Sequence, residues 1–252
     1  MKDTEKRDKF KVYGELLQTY GYQCKPEDKA LTCINYYDNQ EISIPLDNTL
    51  SPMENANKYF NRYQKLKRTF DALTIQIRET KDELTHLESI HTALDIARRE
   101  EDLAAIKDEL AESGYIKKGS QKKNRAMKKS KPMHFRSSDG YDIYVGKNNY
   151  QNEEVTFKIA NGNDWWFHAK GIPGSHVVVR TEGKELPDRV FEEAGSLAAW
   201  YSKGRSNEKV EIDYIQRKHV KKAAGGAPGF VIYHTNYSLM AAPKLELPEV
   251  NS

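Results

Sequence analysis

Long apolar runs are missing from this sequence. No stretch approaches the roughly 18 consecutive apolar residues that a membrane-spanning helix requires. The opening residues 1–8 are mostly charged and lack the apolar core of a secretory signal peptide. The sequence therefore predicts neither membrane insertion nor classical export. A cytoplasmic location is expected, and a cell-surface location would require non-classical export.

Cysteine is also scarce. Cys24 and Cys33 are the only two, and no further ligand-type residue stands near them at zinc spacing. A disulfide between them is geometrically possible across a hairpin, but the rest of the chain offers no disulfide framework. Two reduced thiols in a cytosolic protein are the favoured interpretation.

Apolar residues make up only 38% of the chain, against 31% charged residues. This balance is polar for a single globule and is typical of a core domain joined to a solvated helix. The net charge is only +3, yet residues 117–133 carry eight Lys or Arg and no acid. This tract predicts a solvated linker that either faces a polyanion or simply keeps the linker soluble.

The first region, 1–116, reads as a coiled coil with a small β-element at its tip. A short amphipathic helix over 5–18 precedes a strand–turn–strand pattern within 20–46. Ser51, Pro52 and Glu54 then form a helix-start signature for a long helix over about 52–98. Its heptad stripe comprises Tyr59, Tyr63, Leu66, Phe70, Leu73, Ile77, Leu84, Leu87 and Leu94.

One helix cannot bury such a stripe by itself. Residues 5–18, running antiparallel, would cover only its first turns, so we expect the partner to be absent from this chain or to be a second copy. Self-association through the stripe is therefore predicted. A helix lying along a globular core is the less favoured alternative, because the stripe is narrow. A second short helix around Leu103–Leu110 is expected to end at Gly114.

Residues 134–252 predict a compact, mainly antiparallel α+β domain. Strand patterns recur at 134–136, 141–146, 210–214, 230–233 and 238–240, and helical patterns at about 149–159 and 188–203. Between them, Asp164–Lys170 and His176–Val179 indicate two strands joined by a tight turn at 171–174, in which Gly174 would accept a positive φ.

Alternation along the first of these strands separates two faces. Trp165, Phe167 and Ala169 share one face, and Trp166, His168 and Lys170 share the other. An aromatic ring beside a cation and an imidazole can stack on a base and contact a phosphate. Tryptophan is more often a core residue, so both interpretations of Trp166 remain open at this point.

Further residues are expected to face the same partner. Ser175 and His176 follow the predicted turn, Lys203 and Arg205 end a helix, and Lys218, Lys221 and Lys222 precede the Gly-rich segment 223–229. Glycines let backbone N–H groups approach a phosphate, and lysines supply point charges. A turn between strands needs the same glycines, however, and is the favoured interpretation of that segment.

No catalytic centre is predicted. His168, His176 and His219 lack a cysteine or carboxylate set at catalytic or metal spacing, although Asp164 and His168 could meet along one strand. The sequence therefore predicts a binding protein without a cofactor.

Several stretches resemble the NFACT family. In the second half they are Gly140–Asn149, Asp164–Lys170, Pro173–Val177 and Val220–Gly229. In the first half they are Gly14–Leu17, Asn35–Tyr37, Ile44–Asp47 and Asn55–Phe60. The first half is similar to the family's coiled-coil and middle region, and the second to its NFACT-R domain. The resemblance thus implies the C-terminal part of a longer protein.

The resemblance also implies a function and partners. It predicts a factor of ribosome quality control that binds the large ribosomal subunit RNA and tRNA and takes part in alanine tailing of stalled nascent chains. A second implication is of another class, because bacterial relatives are also known as fibronectin-binding adhesins. Fibronectin is therefore the alternative partner.

Overall fold

The computed structural model consists of two compact units. The boundary between them lies between Lys81 and Asp82, inside one long helix. The structure describes residues 2–117 and 130–250, with side chains from Arg7 onward. Most of the basic tract predicted over 117–133 lies outside the described residues. Within them, no helix has the length and apolar content needed to cross a membrane.

The first unit contains two helices and a two-stranded sheet. Helix α1 (Lys2–Tyr20) is followed by the antiparallel strands β1 (Ala30–Asn35) and β2 (Gln40–Pro45). Helix α2 (Pro52–Ile96) follows β2 and begins in this unit. Cys24 and Cys33 carry free thiols that pack at the edge of the core. Because the hairpin is too thin to form a core alone, both helices contribute to it. The buried members are Tyr13, Leu16, Leu17, Leu31, Ile44 and Ala56.

Helix α1 runs antiparallel to the first turns of α2, as the sequence predicts. Gly21 approaches Pro52, Gly14 approaches the ring of Phe60, and the Arg7 guanidinium lies 5.2 Å from the ring of Phe70. A Cβ on Gly14 would lie 2.7 Å from that Phe60 ring, so the close approach of the helices requires glycine.

The predicted start of α2 is confirmed. The Ser51 backbone N–H donates to Glu54 Oε2 at 2.8 Å, and the Glu54 N–H donates to Ser51 Oγ at 3.3 Å, which is a reciprocal capping box. Further along α2, the apolar stripe faces solvent in the described structure. Its exposed members include Leu66, Phe70, Leu73, Ile77, Leu84, Leu87 and Leu94.

The second unit is built on a six-stranded sheet in which all neighbouring strands are antiparallel. Its spatial order is β10, β7, β5, β6, β4, β3. The strands are β3 (Met133–Arg136), β4 (Asp142–Val145), β5 (Trp165–Ala169), β6 (Val177–Val179), β7 (Val210–Gln216) and β10 (Tyr237–Ala241). A separate small hairpin pairs β8 (Lys221–Lys222) with β9 (Val231–Ile232).

Helices cover both faces of this sheet. Helix α5 (Asp188–Trp200) packs against one face. The other face is covered by residues of the π-helical turn Val155–Ile159, which continues α4 (Asn149–Glu154), and by the β8–β9 hairpin. The predicted mainly antiparallel α+β architecture is confirmed.

The second unit begins earlier than the boundary at residue 134 expected from the sequence. Ile96 at the end of α2 joins the core beneath α5, and Ile90 and Ala93 pack against Ile106 of α3 (Glu100–Glu112). Gly114 follows α3 with φ 80°, as predicted for a helix end. The last turns of α2 therefore do not stand clear of the α+β domain, because their apolar residues are part of its core.

Candidate nucleic-acid interface

The two faces of β5 follow the predicted alternation. Phe167 and Ala169 lie in the core beneath α5, and Trp165 packs partly buried at its margin. Trp166 lies in the core on the opposite face. Register with β7 places His168 opposite Asp213, and the side chain of Lys170 reaches Glu211. Aromatic, imidazole and ammonium groups thus share one strand face.

The base-stacking prediction for Trp166 is wrong. Its side chain is 0% exposed, with the ring centroids of His176 and Tyr233 at 5.0 and 5.2 Å. The alternative interpretation, a core tryptophan, is correct. The physical reason is that the strand face on which it stands is itself covered. The π-helical turn contributes Val155 to the cover, and the segment beyond β7 contributes Val220.

Ser175 and His176 are also buried, so their prediction as RNA-contact groups is wrong. The Ser175 backbone N–H donates to the Tyr201 carbonyl at 2.8 Å. His176 Nδ1 lies 2.7 Å from Thr156 Oγ1, and the His176 backbone N–H donates to Asn152 Oδ1 at 2.9 Å. Burial lowers the pKa of His176 well below its ordinary value, so this imidazole is neutral at physiological pH.

His168 lies nearer the surface but carries no charge at neutral pH either. Removal of its imidazole from water lowers its pKa to about 4, although the Asp213 carboxylate and the Gly174 backbone act in the opposite direction. Its ring stands 5.3 Å from that of His176, edge to face. His168 therefore helps to build the polar interior of this face and supplies no cation for a phosphate.

The connection between β5 and β6 is a wide loop, so the predicted tight turn is wrong. The strands pair only from Trp165–Val179 to Phe167–Val177, and β5 continues alongside β7. Gly171, with φ 66°, holds the left-handed conformation expected for Gly174. Gly174 is instead required for close packing, because a Cβ there would lie 3.0 Å from Ser202 Cβ.

Three of the predicted cations are exposed and paired with carboxylates. Lys170 Nζ lies 2.5 Å from Glu211, Lys203 Nζ 2.8 Å from Glu88, and Lys222 Nζ 2.8 Å from Glu153. Exposed pairs of this kind contribute only about 0–1 kcal/mol, so an incoming phosphate can replace the carboxylate. Their positive charge is nevertheless partly neutralised in the free protein.

A group of accessible positive charges lies beside the π-helical turn. Lys218 and Lys221 are exposed, and neither side chain makes an ion pair or hydrogen bond to the described residues. Arg217 lies next to them, its Nε donating to the Thr156 carbonyl at 2.8 Å and its guanidinium 4.9 Å from the Phe157 ring. We name this set the basic surface and define it as Lys158, Arg217, Lys218, Lys221 and Lys222.

Sequence reasoning missed Lys158 and Phe157, and it named Arg217 in the basic run 217–222 without selecting it as a site residue. Arg217 opens the basic run that was singled out and could have been found there. Lys158 and Phe157 could not, because they sit on the π-helical turn Val155–Ile159, and one extra residue in a helix leaves no clear periodic signal. Single π-turns are frequent at functional sites, so this turn supports the assignment.

The Gly-rich segment 223–229 is a turn, the favoured interpretation. The Gly226 N–H donates to the Ala223 carbonyl at 3.1 Å, and the Phe230 N–H donates to the Ala227 carbonyl at 3.2 Å. Gly229, with φ 81°, packs against the backbone of Asn149, where a Cβ would lie 2.9 Å from the carbonyl oxygen. These glycines serve chain reversal and packing.

Arg205 belongs to a second arrangement, away from the basic surface. Its guanidinium lies 3.8 Å from the centre of the Trp200 ring, a close cation–π contact. Trp200, the last residue of α5, is partly exposed. Sequence reasoning singled out Arg205 and passed over Trp200, although the two are five residues apart beyond a helix end.

Comparisons with known proteins also point to an RNA-binding domain. Residues 1–131 match the family model for the NFACT N-terminal and middle domains, and residues 131–234 match the model for the NFACT protein RNA binding domain. The Rqc2 homolog RqcH of Streptococcus pneumoniae serotype 2 is 43% identical over 241 residues, which cover 95% of this chain and 43% of that protein. The chain therefore spans less than half the length of this relative.

Two further comparisons point the same way. The Rqc2 homolog RqcH of Bacillus subtilis is 38% identical over 95% of this chain and 42% of that protein. The solved C-terminal structure of the fibronectin/fibrinogen-binding protein from Streptococcus suis matches with a TM-score of 0.70 and 36% identity, over 96% of this chain and 86% of that one. By sequence and fold together, the chain belongs to the NFACT family, and its second half carries the family's RNA-binding domain.

Proposed function

We propose that this chain acts in ribosome quality control in the cytoplasm, as a binding protein that contacts large-subunit RNA and tRNA during alanine tailing of stalled nascent chains. The similarity to RqcH proteins over 95% of the chain supports the process. The basic surface on the RNA-binding domain supports the mode of contact. The role is one of binding, with no bond made or broken by this chain.

The observation that carries the proposal is the accessibility of the basic surface. Lys218 and Lys221 have no carboxylate partner among the described residues, so their charges are available to a polyanion. Phosphate contacts release counterions and make RNA affinity fall with salt, by close to one unit of log–log slope per contact. Arg217 above Phe157 adds a flat cationic face beside these lysines.

A double charge reversal tests this assignment. The variant Lys218→Glu with Lys221→Glu removes two phosphate contacts, and both side chains are exposed, so the fold should be unaffected. Cosedimentation with purified large ribosomal subunits and filter binding to tRNA, each at several salt concentrations, should show weaker binding and a slope reduced by about 2.

The matched control is Lys209→Glu with Lys244→Glu. These lysines are exposed beside α5 and β10, and the net charge changes by the same amount. The control should bind like the native chain. Equal loss in both variants would mean that net charge alone matters, and unchanged binding in the first variant would contradict the basic surface.

Fibronectin binding is a second candidate, because the solved structure similar to this chain comes from a protein named for fibronectin and fibrinogen. The same pair of variants distinguishes fibronectin binding from the proposed role in ribosome quality control. If native chain binds immobilised fibronectin tightly, loses that binding in the Lys218/Lys221 variant and does not cosediment with large subunits, the adhesin is the function.

A further inference from the structure

A second candidate site lies in the second unit, on the side of the sheet covered by α5. The last turns of α2 and the loop that follows α5 border an open groove of about 730 Å³. Trp200 and Arg205 form one wall, and Leu87 lies on the facing helix. The volume is within the range of about 300–1,000 Å³ typical of small-ligand sites.

The wall formed by Trp200 and Arg205 is flat and cationic. The 3.8 Å separation between the guanidinium carbon and the indole centre means that the two planar groups are in contact. The guanidinium therefore covers one face of the indole, and a planar ring can stack on the outer side of the guanidinium. Nucleobases are the common planar groups that single-stranded nucleic-acid proteins bind in this way.

The rim of the groove carries both signs of charge. Lys203 Nζ lies 2.8 Å from Glu88, and His91 Nδ1 lies 3.5 Å from Asp95. With Arg205, two cations face two carboxylates, so the groove as a whole does not select a polyanion. Carboxylates accept hydrogen bonds from exocyclic amino groups, which adenine, cytosine and guanine carry. The rim therefore fits a base edge better than a phosphate.

We propose that this groove holds one unstacked, amino-bearing base of a single-stranded RNA, which stacks on the Trp200–Arg205 pair with its edge toward Glu88 and Asp95. The inference rests on the proposed RNA-binding function and assigns it a second contact. The basic surface holds the phosphate backbone without reading bases. The groove supplies the preference for unpaired RNA that contains adenine, cytosine or guanine.

The test compares the affinities of the full chain for three oligonucleotides of about ten nucleotides. They are oligoadenylate, oligouridylate, which lacks exocyclic amino groups, and a matching abasic backbone. Fluorescence anisotropy at fixed salt gives each affinity. The variants are Arg205→Ala, Trp200→Phe and Trp200→Ala, with Arg189→Ala at the other end of α5 as the matched control. Melting curves establish that each variant is folded.

Native chain should bind oligoadenylate more tightly than the abasic backbone. Trp200→Ala should weaken oligoadenylate binding by about five- to 160-fold, as expected for loss of one stacked base, with the salt slope unchanged. Trp200→Phe should restore part of the affinity, Arg205→Ala should lose part of it, and Arg189→Ala should match the native chain. Glu88→Gln should reduce the preference for oligoadenylate over oligouridylate.

Other results overturn the inference in distinguishable ways. If native chain binds RNA with a steep salt dependence and every groove variant binds like native, the proposed function stands and the groove is not its base site. If the variants lose affinity equally for the abasic backbone, the groove contacts phosphate. If native chain binds none of the RNAs, large subunits or tRNA, the proposed function fails and the groove fails with it.

Discussion

At the scale of single residues, the burial and the partners of a side chain decide whether it is available to bind RNA, more than its residue type does. Trp166 and Trp200 are chemically identical, yet one is completely enclosed and the other stacks on an arginine at the edge of a groove. Lys170 and Lys221 are both exposed lysines, but only the first is paired with a carboxylate in the described structure. The candidate RNA-contact residues are therefore those whose polar or aromatic groups remain available.

Trp166→Ala should destabilise the fold and leave RNA contact intact. Deleting a fully buried indole removes the packing of Val178 and Ile215 around it and costs about 3–5 kcal/mol. Thermal unfolding should occur at a markedly lower temperature, whereas RNA affinity measured well below that temperature should equal the native value. The unfolding temperature of Trp166→Phe should lie between those of the native chain and Trp166→Ala. A normal melting temperature combined with lost RNA binding would contradict the core assignment.

His168 and the buried His176 should make the second unit sensitive to acid. The folded state lowers the pKa of His168 to about 4, below the ordinary 6.5, so the unfolded chain takes up the proton first as pH falls. The stabilisation from the neutral imidazole is complete above pH 6.5 and is lost as pH falls towards about 4. The expected loss is about 1 kcal/mol per pH unit within that window.

Unfolding followed by tryptophan fluorescence between pH 7.5 and 4.5 measures this loss, since all three tryptophans lie in the second unit. His168→Gln should reduce the pH dependence, with the remainder arising from His176, and the exposed control His234→Gln should not change it. If native chain and His168→Gln lose stability in parallel, the acid sensitivity arises from other groups.

At the scale of elements, the sequence predicts most boundaries because the signals are local. The capping box at Ser51, the end of α3 at Gly114 and the alternation along β5 each involve neighbouring residues, and each is found in the structure. The cover over Trp166 could not be predicted, because it comes from the π-helical turn and from residues beyond β7. Long-range packing of this kind leaves no mark in local periodicity.

The candidate site shows the same limit. The basic character of 217–222 is visible in the sequence, and the structure places it on the surface. That Lys222 is paired with Glu153 while Lys221 is unpaired among the described residues depends on how α4 packs beside the β8–β9 hairpin. The groove at Trp200 depends on α2 approaching the end of α5, more than 100 residues away in the sequence.

The exposed stripe of α2 should drive self-association of this chain. Leu73 and Ile77 are 50% and 55% exposed and lie on one side of the helix, so two copies can bury their stripes against each other. Light scattering and sedimentation should show a mass that rises with concentration. Ile77→Glu places a charge in the stripe and should shift the chain to monomer.

The control is Ile75→Glu. Ile75 is 60% exposed but lies on the opposite side of α2, two residues from Ile77. This variant should associate like the native chain. A native chain that stays monomeric at high concentration, or equal effects of the two substitutions, would count against pairing through the stripe.

At the scale of the whole molecule, charge and packing are distributed unevenly between the units. The first unit has a small core shared by two helices and a hairpin. The second contains the large sheet, the basic surface and the groove. Its helices are held to it by buried polar groups as well as apolar ones. Lys147 reaches Asp102 of α3 at 2.5 Å, and Asn149 donates to Glu109 at 2.7 Å.

Glu109 joins three elements of that unit. It is completely buried on α3, accepts from Asn149 at the start of α4 and lies 3.0 Å from His86 Nε2 on α2. Removing the partners of a buried carboxylate lowers the free energy of unfolding by several kcal/mol. The match to the NFACT RNA-binding domain model, residues 131–234, contains neither Glu109 nor β10. A fragment cut to those bounds would leave Asn149 without the carboxylate to which it donates and β7 without its outer neighbour, so it should be less stable than the whole second unit.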